Sequence, residues 1–198
     1  MENIDTNDIN KINHINDVLV KVAKTLDNAN INYAVGASKL LEQFDFVVSD
    51  DIDIFIARKH LDNVEKVLDD IGQRVEIPFD GNYISKGARC YNIDNVIVKI
   101  ISGLTIRHAS GLYQYDFSNK DDFYKIKIND YFVKFMYLED WFIFYLLIPN
   151  KATYSKMILQ YFKSNNYRPN VDFFKGALNK SIPQFVRETL EKLIIMYG

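Results

Sequence analysis

The chain of 198 residues has a single cysteine, Cys90. An intrachain disulfide is therefore excluded, and a reducing cytosol is the expected compartment. Long hydrophobic runs are also missing. The most apolar stretch, Trp141 to Pro149, is far shorter than the roughly 20 residues that span a bilayer. The N-terminus is polar and has no signal-like segment, so neither export nor a membrane anchor is expected. A formal net charge of −2 gives no global drive toward nucleic acid. The three histidines, His14, His60 and His108, form no metal-binding spacing with Cys90 and read as surface residues. No internal repeat or low-complexity linker divides the chain.

What is present is the composition of a globular protein able to bury a core: 48% hydrophobic, 25% charged and 14% aromatic residues. The apolar positions Ile9, Ile12, Ile15, Val18, Leu19, Val22 and Leu26 keep helical spacing and predict an amphipathic helix over 7–28. A short strand is expected at 31–35, a turn at Gly36-Ala37-Ser38, and a short helix over 39–44. A strand over 51–57 and a helix over 61–71 follow, the helix stopped by Gly72. From Val75 to about Phe135 the pattern is of strands. Val96 to Ser102 is the clearest, preceded by a hairpin turn at Asp94-Asn95, with a second hairpin around Asn129-Asp130. Helices are expected at 138–148, 154–162, 171–178 and 181–197, the last capped by Ser181 with Pro183 in its first turn. The expected class is α+β: a mixed sheet flanked by helices over 1–137, then a helical lobe over 138–198. Trp141, Phe142, Phe144 and Tyr145 are read as the core of that lobe.

Two stretches carry chemistry. The first is Ser49-Asp-Asp-Ile-Asp-Ile-Phe-Ile56. In a strand, side chains alternate between faces, so Asp51 and Asp53 point one way while Ile52, Ile54 and Ile56 point into the core. Two carboxylates at i and i+2 can share a hard cation such as Mg²⁺; without compensation, their repulsion raises one pKa. The second is Tyr33-Ala-Val-Gly-Ala-Ser38. There a strand ends, glycine turns the chain, and a hydroxyl opens a helix. This is a geometry that offers backbone N–H groups and Ser38 to a phosphate. A phosphate cradle beside an acidic pair is the equipment of phosphoryl or nucleotidyl transfer.

The continuous stretch from Tyr33 to Ile56 resembles the signature of the polymerase-β nucleotidyltransferase superfamily. It is most similar to small bacterial abortive-infection (AbiEii-type) nucleotidyltransferases, whose pattern reads like V-G-G-T…T-x-D-I-D. Gly36, Ala37 and Ser38 fall on the turn, and Ser49, Asp51 and Asp53 on the acidic strand. A weaker similarity covers Val133 to Asp140, a strand-to-helix stretch ending in Leu-Glu-Asp. The resemblance implies Mg²⁺-dependent transfer of a nucleoside monophosphate from an NTP to an acceptor hydroxyl, on an RNA end, a protein or a small molecule. It implies Asp51 and Asp53 as metal ligands, and Gly36, Ala37, Ser38 and Lys156 at the nucleotide.

The chain departs from that pattern. Ala37 stands where a second glycine or serine is usual, and the arginine often found shortly before the acidic strand is absent. The family's third carboxylate comes from a neighbouring strand, and the matching position here is Lys99. A protonated lysine cannot ligate Mg²⁺; it would neutralise the aspartates as a resident cation. Taken alone, Lys99 reads as an edge or solvent-facing lysine. Asp94 is the nearest acidic alternative for a catalytic role, and Asp116 a more distant one. Lys156-Met157 replaces a Lys-Asp pair. The alternative expectation is therefore a catalytically degenerate binding or regulatory module of a phage or phage-defence system, such as a toxin–antitoxin pair, with a partner protein. Richness in Asn, Ile, Lys and Tyr fits an AT-rich genome, and so a low-GC bacterium or its phage.

Overall fold

A computed structural model of the chain describes residues 6–77, 83–117, 123–164 and 167–198. These residues form two compact units.

The first unit holds a seven-stranded mixed sheet with helices α1 (Thr6–Asn28), α2 (Ala37–Glu42) and α3 (Leu61–Asp69). Its strands are β1 (Tyr33–Val35), β2 (Asp51–Ile56), β3 (Gln73–Val75), β4 (Tyr83–Ile93), β5 (Val96–His108), β7 (Tyr124–Ile128) and β8 (Tyr131–Phe135), in the order β3-β4-β5-β2-β1-β8-β7. β2 runs antiparallel to β1 and parallel to β5. β1 is parallel to β8, which closes a hairpin with β7. β2 thus lies inside the sheet, and its sequence shows it: Ile52, Ile54 and Ile56 are buried to within 1%. Each such side chain is worth about 1.5–3 kcal/mol when removed from water. This alternation fixes which face Asp51 and Asp53 occupy, because a one-residue slip would expose all three isoleucines.

α1 follows its predicted span. Ile15, Val18, Leu19, Val22 and Leu26 are buried along one face. Ile9, expected on the same face, is 47% exposed. The β4–β5 hairpin turns at Asp94-Asn95, both with positive φ (50° and 66°). This is the two-residue turn geometry that matches strand twist and that Asn and Asp tolerate.

Among the described residues, the second unit contains 83–84, 104–115, 137–164 and 167–198. In it β6 (Gly111–Gln114) pairs antiparallel with the end of β5, and the helices are α4 (Leu138–Leu147), α5 (Ala152–Ser164), α6 (Val171–Leu178) and α7 (Gln184–Tyr197). Every α4 residue except Leu146 is buried, as expected of a helix apolar on nearly all sides. Trp141, Phe142 and Phe144 are fully buried, and Trp141 meets Phe144 edge-on at 5.3 Å. The two acids that open α4 are buried as well. Glu139 accepts hydrogen bonds from the Asn170 backbone N–H (2.8 Å) and the Tyr167 hydroxyl (3.2 Å), and Asp140 accepts from the Tyr115 hydroxyl (2.8 Å). Burial pushes the Glu139 carboxyl above its ordinary pKa.

Two expectations are corrected here. Pro183, not Ser181, caps α7; the Ser181 hydroxyl instead donates to the Ser110 carbonyl at 3.0 Å. His108 is buried rather than on the surface, and its Nδ1 accepts from the Ser110 N–H at 3.2 Å. Among the described residues, no helix is long and apolar enough to cross a membrane.

In the first unit, Asp27 near the end of α1 ties the helix to the sheet. Its carboxylate accepts from the hydroxyls of Tyr33 (3.3 Å) and Tyr131 (2.8 Å) and from the Lys134 ammonium (2.7 Å). Replacing it leaves three donors, one of them charged, without an acceptor. Asp27→Ala is predicted to lower unfolding stability by about 1–3 kcal/mol in urea titrations; a loss under about 0.5 kcal/mol would show that the three bonds do not hold the helix in place.

Candidate active site

The acidic strand β2 starts at Asp51. Pairing with β5 puts Asp51 beside Ile97 and Asp53 beside Lys99. Residues paired across neighbouring strands share a face, so Asp51, Asp53 and Lys99 project together. The Lys99 ammonium donates to Asp51 Oδ2 at 2.5 Å. Both side chains are about a quarter exposed, at 25% for Lys99 and 28% for Asp51. Solvent therefore screens the pair less than on an open surface, where such contacts are worth little. The solvent-facing reading of Lys99 is thus corrected. β5 is an interior strand, and the position opposite the aspartates carries a cation.

The electrostatics follow from that geometry. Asp53 makes no ion pair with Lys99. Burial first, and then the Asp51 charge, push its carboxyl up to about 7 against a smaller opposing pull from Lys99. Burial pulls the Lys99 ammonium down, but the hydrogen bond to Asp51 and the charges of both aspartates outweigh it, and its net shift is upward. It therefore remains protonated at neutral pH. Cys90 on β4, the other neighbour of β5, feels the same charges. Burial raises its thiol pKa, with Lys99 opposing and the two aspartates reinforcing the shift. Nothing in the sequence spacing points to Cys90 as a neighbour of this cluster.

The turn after β1 completes the group. The Gly36 N–H donates to the Asp53 carbonyl at 3.0 Å, locking the turn against the acidic strand. Gly36 is the N-cap of α2, and Ser38 is the second residue of the helix. The Ser38 hydroxyl lies 3.3 Å from Asp51 Oδ1 and 2.9 Å from the buried Ser49 hydroxyl, and its one proton goes to one or the other. Ser49 Oγ donates to the Asp51 carbonyl at 2.7 Å, and the Ser49 N–H donates to Glu42 Oε2 at 2.8 Å. Glu42 in turn pairs with Lys39, whose side chain is fully buried. The turn and the acidic strand thus form one polar network. The Lys39–Glu42 pair behind it has no sequence signal, since a lysine and a glutamate three apart normally mark an exposed helix face.

Ala37 has φ +51°. This left-handed conformation costs an L-residue about 1–2 kcal/mol and glycine almost nothing. Alanine at the position where the resemblance puts a second glycine or serine is therefore small enough in size but strained in backbone conformation.

The remaining candidates lie elsewhere. Asp94 sits in the β4–β5 turn, where its carboxylate pairs with Lys21 at 2.7 Å and its carbonyl meets His14 Nε2 at 2.7 Å. Asp50, immediately before the proposed ligands in sequence, pairs with Lys11 on α1 and is exposed. Asp116 is exposed after β6. Lys156 is an exposed residue of α5, in the second unit.

A resident Mg²⁺, the group the nucleotidyltransferase resemblance implies, can be tested against this donor set. Mg²⁺ demands oxygen ligands in near-octahedral array. The face offers two carboxylates, one already engaged by an ammonium, and a lysine at the third position. Among the described residues, no group of three or more acids, histidines or cysteines is placed to hold a metal ion. The residues do not fit a three-carboxylate metal centre, because the third position holds an ammonium that already engages Asp51.

Two predictions follow from the strain and the titration. Ala37→Gly should stabilise the chain by up to about 1 kcal/mol in urea or thermal unfolding. No gain, or a loss, would show that the turn is held without strain. Asp53 is protonated in the folded chain over a pH range where the unfolded chain has lost the proton. The folded state then binds more protons, so this group's contribution to stability falls as pH rises from about 4 to about 7. Asp53→Asn should flatten that part of the stability–pH curve. Curves that stay parallel through the interval would contradict the raised pKa.

No protein-family model matches the sequence, and no curated protein matches it significantly. Solved structures do match. A protein of Thermotoga maritima assigned as a nucleotidyltransferase superposes with a TM-score of 0.55 at 20% identity, over 76% of this chain and 91% of that one. An antigenic nucleotidyltransferase-like protein of Paracoccidioides brasiliensis gives a TM-score of 0.51 at 14% identity, over 92% and 88%. ANT(2″)-Ia, solved with adenylyl-2″-tobramycin, gives 0.50 at 13%, over 92% and 98%. An acidic pair on an interior strand, a Gly-Ala-Ser turn hydrogen-bonded to it and the mixed sheet that carries both therefore belong to a chain with the nucleotidyltransferase fold.

Proposed function

We propose that this chain is a catalytically degenerate member of the nucleotidyltransferase fold, a nucleotide-binding module from which transfer chemistry has been lost. One observation carries the reading. Lys99 occupies the position opposite Asp53 and binds Asp51 through its ammonium. The third carboxylate that would activate an acceptor hydroxyl is replaced by a group with no acceptor lone pair and a fixed positive charge. Nucleotide recognition is supported by what is retained. The first amides of α2 have no intrahelical acceptor, and the Ser38 hydroxyl in its first turn reaches Asp51 Oδ1 at 3.3 Å.

The sequence resemblance to abortive-infection nucleotidyltransferases supports a role in a phage or phage-defence system. There the module would act on a partner protein in the bacterial cytoplasm, and the α/β portion, residues 1–137, would carry the nucleotide.

A second reading keeps the enzyme: transfer of a nucleoside monophosphate from an NTP, with Mg²⁺, to an RNA end, a protein or a small molecule. The acidic pair favours it, as does the fold shared with ANT(2″)-Ia, whose structure contains an adenylylated aminoglycoside.

Labelled NTPs separate the two. Each α-³²P NTP, with Mg²⁺ or Mn²⁺, is offered with the chain itself, a tRNA pool or tobramycin as acceptor. The expected result is no incorporation, while at least one NTP raises the Tm. Incorporation that Asp51→Asn abolishes would overturn the degenerate reading and establish the enzyme. No Tm shift with any NTP would remove the nucleotide from the proposal.

A further inference from the structure

We infer that Lys99 is a built-in replacement for the metal ion. The face formed by Asp51, Asp53 and Lys99 is closed to divalent cations as it stands, and a single exchange at position 99 opens it. The inference rests on the degenerate reading above but is tested apart from it.

The argument is one of charge and position. Two carboxylates at i and i+2 on one strand face need a counter-charge. In this chain it is covalently attached, two strand positions along β2 and one strand across, with Nζ 2.5 Å from Asp51 Oδ2. The arrangement is supported from both sides. The Ser38 hydroxyl lies 3.3 Å from the other Asp51 oxygen, and Ile54 and Ile100, the next pair in register, are fully buried and fix the strand alignment. A divalent cation approaching Asp51 meets an ammonium already in contact with the carboxylate and must displace it against like-charge repulsion.

Because Lys99 and Asp53 are register partners on one face, an aspartate at 99 would complete a three-carboxylate set without moving the backbone. If the ammonium does the metal's work, any nucleotide at this face is bound without a divalent ion.

Mn²⁺ binding followed by electron paramagnetic resonance on the full chain tests this. The expected order of affinity is wild type weakest, Lys99→Met stronger, and Lys99→Asp at least tenfold tighter than wild type, the gain lost again in Asp51→Asn/Lys99→Asp. Wild-type Mn²⁺ binding as tight as that of Lys99→Asp, and dependent on Asp51, would overturn the inference. So would a folded Lys99→Asp chain with no gain. Should Lys99→Asp not fold, equal Mn²⁺ affinity of Lys99→Met and wild type overturns it. In a second arm, the Tm shift given by ATP should survive EDTA, and its loss on chelation would count against metal-free binding. The Mn²⁺ series needs no nucleotide. It therefore fails or succeeds independently of the incorporation assay, which alone decides whether the chain transfers a nucleotide.

Discussion

The parallel pairing of β2 with β5 is the constraint on which the site depends. It is enforced from the buried side, by Ile52, Ile54, Val98 and Ile100. The same register places Lys99 level with Asp53 and within reach of Asp51 on the opposite face. Apolar packing and electrostatics are thus two consequences of one alignment.

Around that pair the chain has arranged a supporting shell. The Gly36–Asp53 backbone bond holds the turn to the strand, and Ser38, Ser49 and Glu42 link the turn to the residues preceding β2. Lys39, fully buried, closes the network from behind. The cost is local: Ala37 is left in a conformation suited to glycine. Strain of this kind persists where the surrounding contacts over-determine the backbone. Here they do so on both sides of one residue.

Much of this was legible before the structure. The isoleucine alternation of Asp51 to Ile56, the helical spacing of α1, and the Asp94-Asn95 and Asn129-Asp130 turns are local signals, and the elements formed close to where those signals put them. The Tyr33–Ile56 pattern pointed to the fold. Other features were not readable, for physical reasons. The burial of Glu139 and Asp140 depends on Asn170, Tyr167 and Tyr115, more than twenty residues away. The burial of His108 depends on where β5 ends among the helices of its unit. The left-handed φ of Ala37 follows from the route of the chain between β1 and α2, which propensity would assign to glycine.

By itself the sequence determined that Asp51 and Asp53 share one face, because strand periodicity leaves no other arrangement once the isoleucines are buried. It also marked Lys99 as the residue on which the nature of the site would turn. Only the tertiary structure decided that Lys99 faces the aspartates and binds one of them. A contact between residues 48 positions apart is set by strand pairing and register, and no local pattern in either segment encodes which strand becomes the other's neighbour.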